Sequence, residues 1–406
     1  MTTLTRFDVI VVGGGIAGSV VGGVLARAGY GVLVLEKEAA FRDRVRGEST
    51  WPYAVADALA MGLQPLFDQA GIVDIVGVRR YRDGKEVTCC RWAEDSIDGL
   101  PEIGFLHSRF QEAAWQWAAS QGAVMQRPAK VIAYTRNGAS SITAVVNGEE
   151  RSYQALLVVG ADGKHSMARR WTGGETDNHP EHHRCGGVLV TGVDSSDRDT
   201  NNLCSTDLEV VNWFAAGPVH TRLYVLMSAA RLRETSIDRA FEKLAAYARP
   251  SLPPGALDAV EQAGPIGFFA NNDTWATCVA GNGVALVGDA AGAPDPSQGH
   301  GTSLIYHDIR ALTERLLSTS TAQWEKATAD YAHHHAAYFD VIRACDAWKC
   351  LLGHEPGPEA DRLREGHARA KDADPTLGGF ATLEARGPDG LVADEAARRH
   401  YFGEDL

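Results

Sequence analysis

The sequence Gly13-Gly14-Gly15-Ile16-Ala17-Gly18 decides the fold of this chain. It follows a short β-branched run, Phe7 to Val12, and it opens a stretch of small residues from Ser19 to Ala28. A second apolar run, Gly31 to Glu36, comes next. A buried strand, a glycine turn, a helix and a second buried strand are thereby predicted, and this order is typical of a βαβ unit in a parallel sheet.

The glycine spacing fits the GxGxxG pattern of dinucleotide-binding units. In such a unit Gly13 permits the tight turn, Gly15 lets the backbone approach a pyrophosphate, and Gly18 lets the helix pack closely on the strand. The helix N-terminus, with Ile16 and Ala17, then faces the phosphates. Glu36, at the end of the second strand, is expected to accept from a ribose hydroxyl, and Lys37 is assigned to the same site. This unit alone does not distinguish FAD from NAD.

Bulk composition excludes several classes of partner. The chain has 406 residues, 45% of them hydrophobic, and a net charge of -13, so a nucleic-acid partner is not expected. The seven cysteines form no CxxC pair, which favours reduced thiols in a cytoplasmic protein over disulfides or structural zinc. Glycines interrupt the apolar N-terminal run, and we therefore expect no stable membrane insertion.

Two later segments carry a family resemblance. Gly160-Ala161-Asp162-Gly163, followed by Arg169, resembles the DG motif of the para-hydroxybenzoate hydroxylase family of FAD-dependent monooxygenases. Gly288-Asp289-Ala290-Ala291-Gly292, continuing through Pro296, resembles that family's GD motif. With the N-terminal glycines, the motifs occur in the family's order and span most of the first 320 residues.

The resemblance implies FAD as the cofactor and assigns roles by position. It implies that Asp289, after Gly288, accepts from a ribityl hydroxyl, and that Gly299 to Gly301 place backbone amides near the isoalloxazine. Four further cofactor contacts are implied: Pro296 beside the ring, Asp162 in support of FAD, Arg109 at the diphosphate, and Arg46 in the loop after the second strand.

The implied reaction is insertion of one oxygen atom from O₂ into a small, largely apolar substrate through a C4a-hydroperoxyflavin. Electrons are expected from NAD(P)H or, as reduced flavin, from a partner reductase. The catalytic candidates are Pro296, Glu48 and His300; the His300 side chain either serves the reaction or packs outside the loop. The alternatives are a flavin halogenase, an isoprenoid-type FAD reductase and a non-catalytic flavin-binding module. The halogenase signature GxWxWxIP is absent from the sequence.

We expect an α/β fold with a Rossmann-like FAD domain, a second mixed or antiparallel substrate domain and a helical C-terminus. The predicted boundaries are 1–77, 101–184 and 268–320 for the FAD domain, 78–100 and 185–267 for the substrate domain, and 321–406 for the C-terminal extension. Aromatic residues of the substrate domain suggest an apolar, aromatic or polycyclic substrate: Trp213, Phe214, Tyr224, Phe268 and Phe269.

The run His333-His334-His335 resembles a metal cluster, but consecutive helical residues point in different directions. We therefore predict no metal site from this run.

Overall fold

The computed structural model describes residues 5–43, 45–181, 183–194, 197–206, 210–228, 232, 240–355 and 357–405. The strands in chain order are β1 Thr5–Val12, β2 Val32–Leu35, β3 Ser49–Thr50, β4 Val73–Ile75, β5 Gly77–Arg82, β6 Lys85–Arg91, β7 Glu102–Gly104, β8 Val124–Gln126, β9 Ala129–Asn137, β10 Ala139–Val146, β11 Glu149–Gly160, β12 Thr176–Asn178, β13 His183–Thr191, β14 Asn201–Ser205, β15 Val210–Ala215, β16 Thr221–Ser228, β17 Glu261–Gln262, β18 Gly267–Asn271, β19 Thr274–Ala276, β20 Ala280–Gly281, β21 Val284–Leu286 and β22 Gly292–Ala293.

The α-helices flank these strands and dominate the C-terminal part. They are α1 Ile16–Arg27, α2 Pro52–Ala60, α3 Gln64–Ala70, α4 Trp92–Asp95, α5 His107–Ser120, α6 Phe241–Ala248, α7 Gly301–Leu317, α8 Trp324–His354, α9 Pro358–Ala373, α10 Leu383–Arg386 and α11 Glu395–Tyr401. None of the helices in the described residues is both long and apolar enough to cross a bilayer.

The first sheet has the strand order β20-β21-β11-β1-β2-β8, and β9 and β10 extend it as an antiparallel hairpin beside β11. Strands β21, β11, β1, β2 and β8 run parallel. The buried strands consist almost entirely of Val, Ile and Leu, as both faces of a parallel sheet require. The predicted βαβ unit lies at the centre of this sheet.

The second sheet has the order β17-β13-β16-β15-β14-β5-β6, with β18 also paired to β13. Its pairs are antiparallel except for β14 and β5. The turn that connects β5 to β6 uses Asp83 and Gly84, both with positive φ, as expected for a tight hairpin. The α/β class with a second mixed sheet and a helical C-terminus is thus confirmed, whereas the exact domain boundaries stay a prediction.

A buried ion pair joins the second sheet to the loop that follows β2. Arg222 of β16 donates from Nε to Glu48 Oε2 at 2.5 Å and from Nη2 to Glu48 Oε1 at 3.0 Å. Both side chains are completely buried. Burial tends to raise the pKa of Glu48, and Arg222 opposes that rise. The pair fixes one wall of the space between the sheets.

Removing one partner of this pair should destabilise the protein strongly. Arg222→Met leaves Glu48 buried without a counter-charge, and we expect a loss of about 3–5 kcal/mol in the free energy of unfolding. Urea denaturation followed by circular dichroism measures this. The double variant Glu48→Leu/Arg222→Met should recover much of the loss; a double variant no more stable than Arg222→Met would contradict this account.

A second buried carboxyl group lies between β7 and β14. Glu102 is fully buried, and its Oε1 and Oε2 accept from Asn201 Nδ2 at 2.9 and 3.2 Å. Burial raises the pKa of Glu102 to about 8, since the donors around it compensate only in part. The folded protein therefore holds this proton more tightly than the unfolded chain does.

That raised pKa predicts a specific pH dependence. The contribution of protonated Glu102 to stability is complete below its unfolded pKa of about 4.3 and is lost as the pH rises to about 8. Glu102→Gln keeps an acceptor for Asn201 but cannot ionise. The variant should therefore gain stability relative to the wild type between pH values of about 5 and 8. Urea titrations across this range test it; a constant difference would refute the assignment.

Candidate active site

Four chain segments meet at one edge of the first sheet because its parallel strands end there. Val12 pairs with Leu35 and with Gly160, and Gly160 pairs with Leu286. The residues that follow are the glycine turn, Glu36, the Asp162 loop and the Asp289 loop. The carboxyl edge of an open α/β sheet is where ligands bind, so the three sequence motifs form one site.

The glycines of the first turn have different structural roles. Gly13 has φ +100°, and a Cβ there would lie 2.3 Å from Ala161 O. A Cβ on Gly18 would lie 1.8 Å from Gly13 O, so the helix could not pack as it does. A Cβ on Gly15 would meet only Gln111 Nε2, at 3.6 Å. Because Gly15 lines the cleft, a side chain there would fill the space predicted for a pyrophosphate.

Glu36 braces the glycine turn from the second strand. Its Oε2 accepts from Gly14 N at 2.7 Å, and its Oε1 accepts from Glu38 N at 2.8 Å. The carboxylate is buried and lines the cleft, whereas the neighbouring Lys37 is exposed at the cleft. The helix α1, with Ile16 and Ala17 at its first turn, points its N-terminus into the same space.

The structure does not support the predicted role of Arg109. This residue lies two positions beyond His107 on α5, on the opposite face of the helix from the cleft. Arg109 is exposed, and its guanidinium lies against Gly71. His107 and Gln111, one helical turn apart, line the cleft instead. Gln111 was not predicted, because the sequence motifs do not show which face of α5 is turned to the cleft.

Arg169 clamps the DG and GD loops to each other. It is buried, and its three nitrogens donate to Ala290 O at 2.8 Å, Asp289 O at 2.5 Å and Lys164 O at 2.9 Å. The Asp162 carboxylate accepts from Ser166 Oγ at 2.5 Å and from Met167 N at 2.7 Å, so it shapes its own loop. The predicted role of Asp162 in support of FAD stays a prediction.

Asp289 lies at the cleft with cations around it. Burial raises the pKa of its carboxyl group, and Arg46, Lys164 and Arg169 oppose that rise. The preceding Gly288 donates from its backbone N to Asp308 Oδ2 of α7 at 2.7 Å. Asp308 was not identified from the sequence, and it holds the turn that presents Asp289.

The Pro296 loop is fixed to the chain around Trp51. Trp51 donates from Nε1 to Gln298 O at 3.1 Å and from its backbone N to Ser303 Oγ at 2.9 Å. Pro296, Gly299 and Gly301 line the cleft, and α7 begins at Gly301. The positive end of this helix therefore faces the cleft, where it favours negative charge.

His300 belongs to this loop, but its side chain points elsewhere. It is completely buried, and its ring lies 6.4 Å, centre to centre, from both Trp51 and Tyr53. Its Nε2 is 3.7 Å from Asp346 Oδ1. Burial lowers the pKa of His300 to about 4. The structure favours the interpretation that His300 packs outside the loop, and it does not support direct contact with a substrate.

Glu48 and Arg46 lie in the segment before β3, which also lines the cleft. Glu48 lines the cleft but is committed to Arg222 and also accepts from His107 N at 3.2 Å. The backbone carbonyl of Arg46 accepts from the Tyr224 hydroxyl, which ties the loop to β16. The Arg46 side chain is exposed at the cleft. A catalytic acid role for Glu48 stays a prediction, against which its ion pair argues.

The second sheet supplies an apolar wall. Phe214, Tyr224, Phe268 and Phe269 line the cleft, as expected. Trp213 does not: it is 1% exposed in the core on the other face of the sheet. Side chains alternate along a strand, so adjacent residues of β15 face opposite sides.

The nucleotide edge and this wall share one continuous cleft of about 2190 Å³. Small-molecule pockets usually measure about 300–1,000 Å³. The volume is therefore sufficient for a dinucleotide cofactor together with a second organic molecule.

Comparison with known proteins gives one family and several relatives. The family model described as "FAD binding domain" matches residues 6–339. The menaquinone reductase of Mycolicibacterium smegmatis is 25% identical over 358 residues, which cover 84% of this chain and 83% of that protein. Squalene monooxygenase 1,2 of Brassica napus is 30% identical over 167 residues, covering 40% of this chain and 32% of the relative.

Among solved structures, the myxobacterial chondrochloren halogenase CndH is similar in fold. The TM-score is 0.77 at 20% sequence identity, with 98% of this chain and 97% of the halogenase covered. Similarity therefore extends to reductases, monooxygenases and halogenases, all of which are enzymes.

FAD titration of single variants tests each predicted cofactor contact. Glu36→Ala removes a charged acceptor that is worth about 1.5–3 kcal/mol, so FAD should bind between about 10-fold and 150-fold more weakly. Gly15→Val should fold normally and bind FAD still less. Arg109→Ala, on the face of α5 that points away from the cleft, is the matched control and should leave the dissociation constant unchanged. Quenching of flavin fluorescence measures the dissociation constant of FAD for all three variants. Weaker binding in Arg109→Ala alone would show that Arg109 contacts the cofactor and that Glu36 and Gly15 do not.

Proposed function

The chain belongs to the FAD binding domain family, and from that membership we propose that it is an FAD-dependent monooxygenase acting on a largely apolar organic substrate. One observation carries the proposal: the Pro296–Gly301 loop and the aromatic wall of the second sheet line the same cleft as the nucleotide edge. A substrate on that wall would lie between the second sheet and the flavin ring. The squalene monooxygenase relative supports the reaction class and an apolar substrate.

Bound FAD, once reduced, would supply the activation of O₂ and the transfer of one oxygen atom. The chain supplies position and electrostatics. Backbone amides from Gly299 to Gly301, at the N-terminus of α7, can stabilise negative charge at the edge of a planar ring. Trp51 anchors this loop, and the aromatic wall excludes water from the space next to it.

Electrons would come from NAD(P)H or from a partner reductase that delivers reduced flavin. Exposed cations at the cleft support a transient, anionic nicotinamide donor: Lys37, Arg42 and Arg46. They raise the local concentration of a phosphate-bearing molecule even though the protein as a whole is acidic. A partner reductase requires no motif in this chain, and both routes remain part of the proposal.

Specific observations argue against two rival reactions, halogenation and double-bond reduction. A halogenase is expected to need a lysine above the flavin, and the described strands of the second sheet contribute no lysine to the cleft. Two of the five lysines that line it, Lys164 and Lys349, are bonded to Asn272 and Glu384. A double-bond reductase needs a proton donor beside the substrate. The two titratable candidates from the sequence do not meet this need, because Glu48 is paired with Arg222 and His300 faces away.

Labelled oxygen distinguishes the three reactions. Holoenzyme with NADPH, or with chemically reduced FAD, is incubated in ¹⁸O₂ with a panel of isoprenoid and polycyclic aromatic compounds and with chloride and bromide. A monooxygenase gives a product that carries one heavy oxygen, detected by mass spectrometry. A product that gains a halogen, or that gains two hydrogens without label, would show that the proposed reaction is wrong.

A substitution in the Pro296–Gly301 loop tests whether the reaction takes place in this cleft. A Cβ on Gly301 would meet no other atom, so Gly301→Leu should fold normally while its side chain enters the cleft. Displacement of the ring by about 1 Å should lower the rate of labelled product formation about a hundredfold. Unchanged labelling by a correctly folded Gly301→Leu enzyme would place the reaction elsewhere.

A further inference from the structure

Three metal-ligating side chains from separate segments converge beside α7. They are His307 of α7, His334 of α8 and Asp389, which follows α10. The Oδ1 atom of Asp389 is 3.4 Å from His307 Nε2 and 3.7 Å from His334 Nε2. The geometry points to a site for a divalent transition metal, Zn²⁺. This site is separate from the flavin cleft and independent of the proposed function.

The orientation of His307 is already fixed by a carboxylate. Its Nδ1 lies 2.7 Å from Asp57 Oδ2, and the other oxygen of Asp57 accepts from Arg310 Nη1 at 2.8 Å. Metal-binding histidines usually donate their second ring N–H to such a carboxylate, which directs the other nitrogen at the metal. Asp57 is thus the outer partner and His307 Nε2 the ligand atom.

His307 Nε2 is a buried polar atom without a satisfactory partner. The His307 side chain is only 8% exposed, and Nε2 makes no hydrogen bond to the described residues, although Asp389 Oδ1 lies 3.4 Å away. Tyr53 and Tyr338 cover the ring with edge-on contacts at 6.0 and 4.4 Å between ring centres. A buried polar atom in this position costs free energy unless a ligand satisfies it.

The charges around the site favour a cation. Two carboxylates flank the two nitrogens of His307: Asp57 Oδ2 lies 2.7 Å from Nδ1, and Asp389 Oδ1 lies 3.4 Å from Nε2. A metal at Nε2 competes with a proton for the same lone pair. His334 adds a second imidazole, whose Nε2 lies 3.7 Å from Asp389 Oδ1. Arg310 and Arg315 are the nearby cations that oppose binding.

The ligand set and distances suit zinc better than magnesium or calcium. Two imidazoles and one carboxylate form a nitrogen-rich set, whereas magnesium and calcium prefer oxygen ligands. Tetrahedral zinc bonds of about 2.0–2.1 Å place the ligand atoms roughly 3.3 Å apart. The three ligand atoms here all lie within 4.8 Å of one another, so small side-chain rotations would close the site. Asp389 is exposed, which gives the ion a path from solvent.

A bound metal would connect the segment after α10 to two long helices. Glu384 and Ala385 of α10 line the cleft, and Gly387 packs against Tyr53. The ion would restrain Asp389, which follows the exposed Arg386 by three residues in the sequence. Access of a protease to Arg386 therefore reports on the metal without reference to catalysis.

The test uses the full chain with FAD bound and any polyhistidine tag removed. After chelation and dialysis against Zn²⁺, the wild type should retain one zinc per chain by atomic emission spectroscopy. His334→Ala and Asp389→Asn should bind zinc at least about tenfold more weakly in a competition titration with a colorimetric chelator. His333→Ala, the exposed neighbour on α8, is the matched control and should bind like the wild type.

Trypsin supplies the second readout. Zinc should slow cleavage after Arg386 in the wild type and in His333→Ala, but not in His334→Ala. Failure of the wild type to retain zinc, or equal retention by His334→Ala and the wild type, would overturn the site. Normal flavin absorbance in every variant shows that the outcome does not reflect misfolding.

Discussion

The cleft depends on the buried ion pair between Glu48 and Arg222. It connects a loop of the first sheet to the interior strand β16 of the second, and neither side chain contacts water. Desolvation makes such a pair costly to break although it adds little net stability. Its effect here is geometric, since it sets the position of the aromatic wall relative to the nucleotide edge. The Tyr224 hydroxyl, bonded to the backbone of Arg46, reinforces the same junction.

The nucleotide edge was predictable because its signals are local. A glycine turn after a β-branched run, or an aspartate after a buried strand, reports backbone geometry within a few residues. Parallel pairing then brings those turns together, since the strands end at one edge. The sequence therefore predicted the location of Gly15, Glu36, Asp289 and Pro296 in one site without any knowledge of side-chain packing.

Three predicted roles depended on side-chain direction, which local signals do not contain. Arg109 faces away from the cleft because a two-residue step on a helix reverses the face, and Gln111 takes the place at the cleft. Trp213 and Phe214 are divided between the two faces of β15 by the alternation of a strand. His300 follows a glycine with positive φ, and its ring turns into the core. Arg222 and Asp308 were missed because their partners are distant in sequence.

Three of the four carboxylates predicted around the cleft are already bonded within the protein. Glu36 accepts from two backbone amides, Glu48 is paired with Arg222, and Asp162 caps the turn of its own loop. A carboxylate held in this way positions the backbone, and it has little freedom to transfer protons. The arrangement suits an enzyme whose reactive centre belongs to a cofactor, because the protein must then supply orientation and a shielded apolar space.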